Sequence, residues 1–189
     1  MSRQINNLPI TLIGPTRAWR YFHSFYKRAM SMSFNVDLHW TGSDDPITEP
    51  TDFCRDHIIN FGSGQHVNAS SAAEYSGNSG FVNPEESLLA ALSSCHMLTF
   101  LTIVHLKRLP VVSYSDHAHA ELGKNAHGKL FVNKMTLNPK VVFAEGTEVS
   151  DEIIEKIHEK AHVNCFIANS LNCETVVEIT TENSASTDK

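Results

Sequence analysis

The sequence predicts an α+β domain built on a mainly antiparallel sheet. Three observations carry this reading. Short alternating runs bounded by Gly, Pro and Asn mark strands, and two stretches with capping residues ahead of them mark helices. The elements then fall in the order β-β-β-α-β-β-α-β, without the strict strand–helix alternation of a parallel sheet. With 189 residues, 41% hydrophobic and 19% charged, the chain is long enough for one domain plus an extension. That composition excludes collagen-like, disordered and disulfide-stapled classes.

Residues 1–31 differ from the rest. They are basic, free of acids and aromatic-rich (Trp19, Tyr21, Phe22, Phe25, Tyr26). A transit-like peptide, a surface-binding arm and an upstream start ahead of Met30 or Met32 are the alternatives. The expectation is a poorly ordered extension outside the fold. From Ser33, Phe34, Val36, Leu38 and Trp40 alternate with polar residues until Gly42, which predicts the first strand. A polar, Pro-marked loop over 43–53 leads to strands at Arg55–Phe61 and His66–Ser70, then a connecting loop over 72–83.

The strongest local signal follows. Asn83 suits the N-cap, Pro84 the first helical position, and Glu85 and Glu86 complement the positive helix end. A helix is predicted from Pro84 to about Lys107, ahead of Pro110. Its apolar residues fall on nearly every side, which predicts a buried central helix. Ser93, Ser94, His96, Thr99 and Thr102 interrupt that apolar run and argue against a membrane span. Strands are expected at Val111–Leu122 and Lys129–Ala144. Ser150 then caps a second helix with the inner stripe Ile154, Ile157, Ala161, Cys165. A last strand, Asn172–Thr181, presents Cys173, Thr175, Val177 and Ile179 on one face. The domain is expected over 32–183, with a polar tail at 184–189.

The net charge of −6 is uneven. Five of 15 basic residues lie in 1–36, so residues 37–189 hold ten basic and all 21 acidic residues, a net of −11. Such a body disfavours nucleic acid, whose phosphates it would repel. With no secretory signal visible, the chain is expected to be cytoplasmic, where lasting disulfides are rare. Asn68-Ala69-Ser70 matches a glycosylation sequon without that secretory setting.

Four cysteines, none in a CxxC pair, are the features to follow. Cys95 sits midway along the first helix, too far from its N-terminus for dipole activation, so a thiolate there needs a separate cation. Cys165 ends the second helix on its inner stripe. Two inward-pointing thiols could approach closely or be two unrelated core residues. Cys173 reads as packing, and Cys54, beside Arg55, is unassigned. His96 follows Cys95 but diverges from it by about 100°, so it reads as a core histidine. The same divergence disfavours Cys–His acyl transfer. His117 with His119, and His162, supply too few ligands for zinc. No metal or cofactor is expected.

Asn83–Phe100 (NPEESLLAALSSCHMLTF) resembles the central-helix signature of the OsmC/Ohr family, the osmotically inducible and organic hydroperoxide resistance proteins. Ala161-His162-Val163-Asn164-Cys165 is similar to its second-cysteine motif, and Trp40-Thr41-Gly42 to the close of its first strand. The resemblance covers about 33–181 and implies the OsmC-like fold, an intertwined homodimer and a thiol-dependent peroxidase for organic hydroperoxides. It implies Cys95 as the peroxide-attacking residue, Cys165 as the resolving one, and Glu85 as the acid orienting a catalytic arginine, for which Arg55 is the candidate. The implied reductant is a dithiol, a dihydrolipoyl protein or a small thiol. A rival reading keeps the fold as a non-catalytic dimeric module binding a small molecule or lipid. Ten helical residues span about 15 Å, so Glu85 cannot contact its own Cys95 on a straight helix. Either the Arg55–Glu85 pair serves the Cys95 of a partner subunit, or an arginine bridges the gap.

Overall fold

A computed structural model describes residues 32–42, 49 and 53–181. The basic extension at 1–31, most of the 43–53 loop and the polar tail lie outside them. The chain divides into two compact units, one running through Ser87 and one from Leu88 onward.

The first unit holds three antiparallel strands, β1 (Val36–His39), β2 (His57–Phe61) and β3 (His66–Ala69), in the order β1-β2-β3. Alternation places Phe34, Val36, Leu38 and Trp40 as predicted, yet all four side chains are exposed in the single chain. Trp40 folds its indole back over Gly42, where an added Cβ would meet the ring at 2.8 Å. Its Nε1 donates to the Cys54 carbonyl at 2.7 Å, closing the loop between β1 and β2.

Helix α1 (Pro84–Leu106) begins where the capping residues put it. The Asn83 side chain accepts from the Glu86 amide at 2.7 Å, and Glu86 accepts from the Asn83 amide at 3.1 Å. This reciprocal pair satisfies two amide donors at the helix start. Only one stripe of the helix is buried: Leu92, His96, Phe100, Ile103 and Val104. Leu88, Leu98 and Leu106 are exposed, so the all-round burial predicted from composition is not reached within one chain. By length and composition α1 could cross a membrane, but its buried stripe packs in the protein core.

In the second unit the two long strands predicted over 111–122 and 129–144 are four: β4 (Val111–Asp116), β5 (His119–Lys124), β6 (Leu130–Leu137) and β7 (Pro139–Phe143). The breaks face each other. Asp116 accepts from the Asn138 amide at 2.7 Å and from the Ser93 hydroxyl at 2.5 Å, while Asn138 Nδ2 donates to the His117 carbonyl at 2.9 Å. These bonds satisfy the backbone where the chain bends from one sheet to another, a cost that alternation patterns do not register. The predicted last strand is divided likewise. β8 (Glu174–Val177) pairs parallel with β6, and β9 (Thr180–Thr181) pairs parallel with β7, so the sheets are β5-β6-β8 and β4-β7-β9. The remaining pairings are antiparallel.

Helix α2 (Asp151–Asn164) buries Ile154, Ile157, His158, Ala161 and His162. Ser150 occupies its N-cap, but its carbonyl, not its hydroxyl, serves the first turn. A core cluster of Leu92, Met135, Leu137, Cys165 and Val177 joins α1, β6, β8 and the end of α2, with Cys95 and Cys173 packed against it.

Candidate active site

Two groups of residues carry chemistry, one in each unit. In the second unit, burial of the stripes on α1 and α2 brings Cys95 and Cys165 together. Both are free thiols. Cys165 is fully buried, Cys95 half-buried. The Cys165 thiol hydrogen-bonds to Cys95 and, with desolvation as the larger cause, is pushed up to about 12. It also accepts from the Ala168 amide at 3.4 Å. Cys165 is therefore the thiol held protonated, and Cys95 the one more open to a reactant. Cys173 is pushed up by burial and belongs to the same apolar cluster.

One residue along, His96 turns away from Cys95. Its Nε2 meets His158 Nδ1 at 3.0 Å, with the ring planes 5° apart and centroids 5.3 Å apart, so the two imidazoles lie edge to edge in nearly one plane. Phe100 stacks on His158 at 4.2 Å and packs against Tyr114 at 5.6 Å. Desolvation is the main cause that lowers His96 to about 4 and His158 to about 3, and each is further lowered by a histidine neighbour, His162 and His96 respectively. His96 is thus a core histidine and no base for Cys95. His117 and His119 stand at the break between β4 and β5, both exposed. Among the described residues no three His, Cys, Asp or Glu side chains are grouped to hold a metal ion.

In the first unit, Trp40, Phe53, Arg55, His57, Ser70, Ser71 and Pro84 line an open concavity of about 350 Å³. Arg55 Nη1 donates to the Phe53 carbonyl at 3.0 Å, and its guanidinium lies over the Phe53 ring at 4.2 Å. Phe53 in turn meets Trp40 edge-on at 6.5 Å. Such a shelf holds a planar cation while leaving an apolar wall beside it. Pro84 brings the start of α1 to this concavity, and half-buried Glu85 follows it in the first turn. Cys54 is exposed.

Residues 77–180 match the family model of the OsmC-like protein. The chain belongs to the OsmC-like family. A solved OsmC-like protein of unknown function from Vibrio cholerae is 38% identical, covers 79% of this chain and 99% of its own, and superposes with a TM-score of 0.75. Two organic hydroperoxide resistance proteins share the fold at 14% identity. OsmC from Legionella pneumophila has a TM-score of 0.59, covering 80% of this chain and 98% of its own. OhrB of Bacillus subtilis has 0.55 over the same shares. No curated protein matches the chain.

The sequence marks His162 of this OsmC-like protein only as one of too few ligands for zinc and does not single out His158. His158 and His162 continue the inner stripe of α2 at intervals of four from Ile154, a signal that polarity alone concealed. His57, two residues beyond Arg55, gave no signal, because the concavity exists only once β1 and β2 pair.

The buried imidazoles make the OsmC-like fold acid-sensitive. In the unfolded chain they take up protons near 6.5, whereas in the folded protein His96 does so only near 4 and His158 near 3. Between those limits the unfolded state binds more protons, so stability falls as pH drops from 6.5 and levels off below the folded values. Urea unfolding midpoints should be lower at about pH 4.5 than at about pH 7.5, and the difference should shrink in His158→Gln.

Proposed function

We propose that this OsmC-like protein is a cytoplasmic thiol-dependent peroxidase that reduces organic hydroperoxides to alcohols. The observation that carries this reading is the Cys95–Cys165 contact, in which one thiol is buried and kept protonated while its neighbour is more open. Cys95, as a thiolate, attacks the terminal oxygen of the hydroperoxide. An alcohol leaves and Cys95 becomes a sulfenate, which takes a proton from water to give the sulfenic acid. Cys165 condenses with it, water leaves, and the disulfide protects Cys95 from irreversible oxidation. A dithiol, either a dihydrolipoyl protein or a small thiol, then reduces the disulfide. Neither nucleic acid nor a membrane takes part.

Arg55 supplies the fixed cation that Cys95 requires and steadies charge developing on the peroxide oxygens. Glu85 is its orienting acid. Because Glu85 and Cys95 are ten helical residues apart, the Arg55–Glu85 pair serves the Cys95 of a second copy. A homodimer also accounts for the exposed apolar faces of β1 and α1, since monomeric proteins rarely leave such patches uncovered.

The test is hydroperoxide consumption with a dithiol reductant. Wild type should turn over, and Cys95→Ser should lose activity to the uncatalysed background. Equal rates would defeat the proposal. The apolar concavity also suits a module that only binds a small molecule or lipid, and an inactive wild type would favour that account.

A further inference from the structure

His57 lies on the inner side of β2, opposite Ala69 in β3, and lines the concavity beside Arg55, Trp40 and Ser70. Its Nδ1 is 2.9 Å from the Arg55 carbonyl oxygen. A carbonyl can only accept, so Nδ1 carries the proton. In the neutral ring Nε2 then holds the lone pair and is the atom able to take a proton. The backbone of the residue that supplies the cation thereby fixes the tautomer of a base two positions away. A half-buried imidazole with a fixed tautomer, in a concavity with a guanidinium and aromatic walls, is equipped to move a proton on a bound molecule.

We propose that His57 is the proton-transfer residue of the peroxide step, an inference that rests on the peroxidase reading. The Cys95 thiolate of the second copy gives its electron pair to the terminal oxygen of the hydroperoxide, forming the S–O bond. The O–O bond breaks, and its electron pair leaves on the alkoxide oxygen. His57 Nε2 takes the proton of the attacked oxygen and passes it to that alkoxide. The products are an alcohol, a Cys95 sulfenate and His57 restored to its neutral form.

An alkoxide is a poor leaving group without a proton, whereas a carboxylate needs none. Removing His57 must therefore slow alkyl hydroperoxides far more than peroxy acids. His57→Asn keeps an amide donor near the Nδ1 position for the Arg55 carbonyl but lacks Nε2. Stopped-flow measurement of the first turnover should show a loss of about 100-fold with tert-butyl hydroperoxide and less than about threefold with peracetic acid. Added imidazole should restore part of the alkyl hydroperoxide rate. Should His57→Asn fail to fold, His57→Gln is read in the same way. An equal loss with both oxidants, or no loss with either, would overturn the role of His57 while leaving the peroxidase reading intact. A wild type that reduces neither oxidant would overturn both.

Discussion

Cys165→Ser should reduce hydroperoxide once per Cys95 and then stop. Serine is close to cysteine in size and can still donate a hydrogen bond to Cys95, so the first attack should proceed within a few-fold of the wild-type rate. What it cannot do is condense with the sulfenic acid. Steady-state turnover with a dithiol should drop about 100-fold or more, leaving only direct reduction of the sulfenic acid by the added thiol. Under excess hydroperoxide Cys95 should advance to sulfinic acid, readable by mass spectrometry of the Cys95 peptide. The raised thiol makes this variant informative: Cys165 is the buried member of the pair and is held protonated, so it reacts second. Wild-type turnover in Cys165→Ser would remove it from the cycle, and a stalled first turnover would show that it activates Cys95 instead.

Phe100→Ala should produce the largest loss of stability. Phe100 is fully buried, stacked on His158 at 4.2 Å and packed on Tyr114 at 5.6 Å. It therefore joins α1, α2 and β4 through one ring. Truncation removes that contact and leaves a cavity that rigid neighbours cannot fill, a cost of about 3–5 kcal/mol. For a domain of this size that lowers the thermal midpoint by roughly 10 °C. The cavity would also admit water to the imidazole pair and relieve the desolvation that lowers His96 and His158, so the variant should lose less stability on acidification than wild type. A loss below about 1 kcal/mol would show that Phe100 is not the centre of this packing.

Local signals in the sequence were sufficient for the helices. The Asn83-Pro84-Glu85-Glu86 start gave the first residue of α1, and Asp151 that of α2. The strands were legible in existence but not in division. Alternation continues through Asp116-His117-Ala118 and through Asn138, because the bends there are stabilised by Asp116 and Asn138 bonding to each other's segments. A partner twenty-two positions away leaves no trace in a local pattern. The candidate site was legible in part. Cys165 could be placed on an inner stripe and Cys95 midway along an apolar helix, but only packing brings their thiols into contact. His96 reads as a core histidine from its divergence from Cys95, but His158 does not stand out, because a polar residue at an inner position reads as an interruption until its partner, His96, is found on another helix.

The exposed apolar flank of α1 has a consequence of its own. Leu88, Leu98 and Leu106 on the helix, with Phe34, Val36, Leu38 and Trp40 around β1, remain in water when the chain is alone. If a second copy covers them, much of the free energy of folding is gained only on encounter. Mass action then governs: dilution removes stabilisation that no substitution has touched, and the melting temperature belongs to a concentration as much as to a sequence.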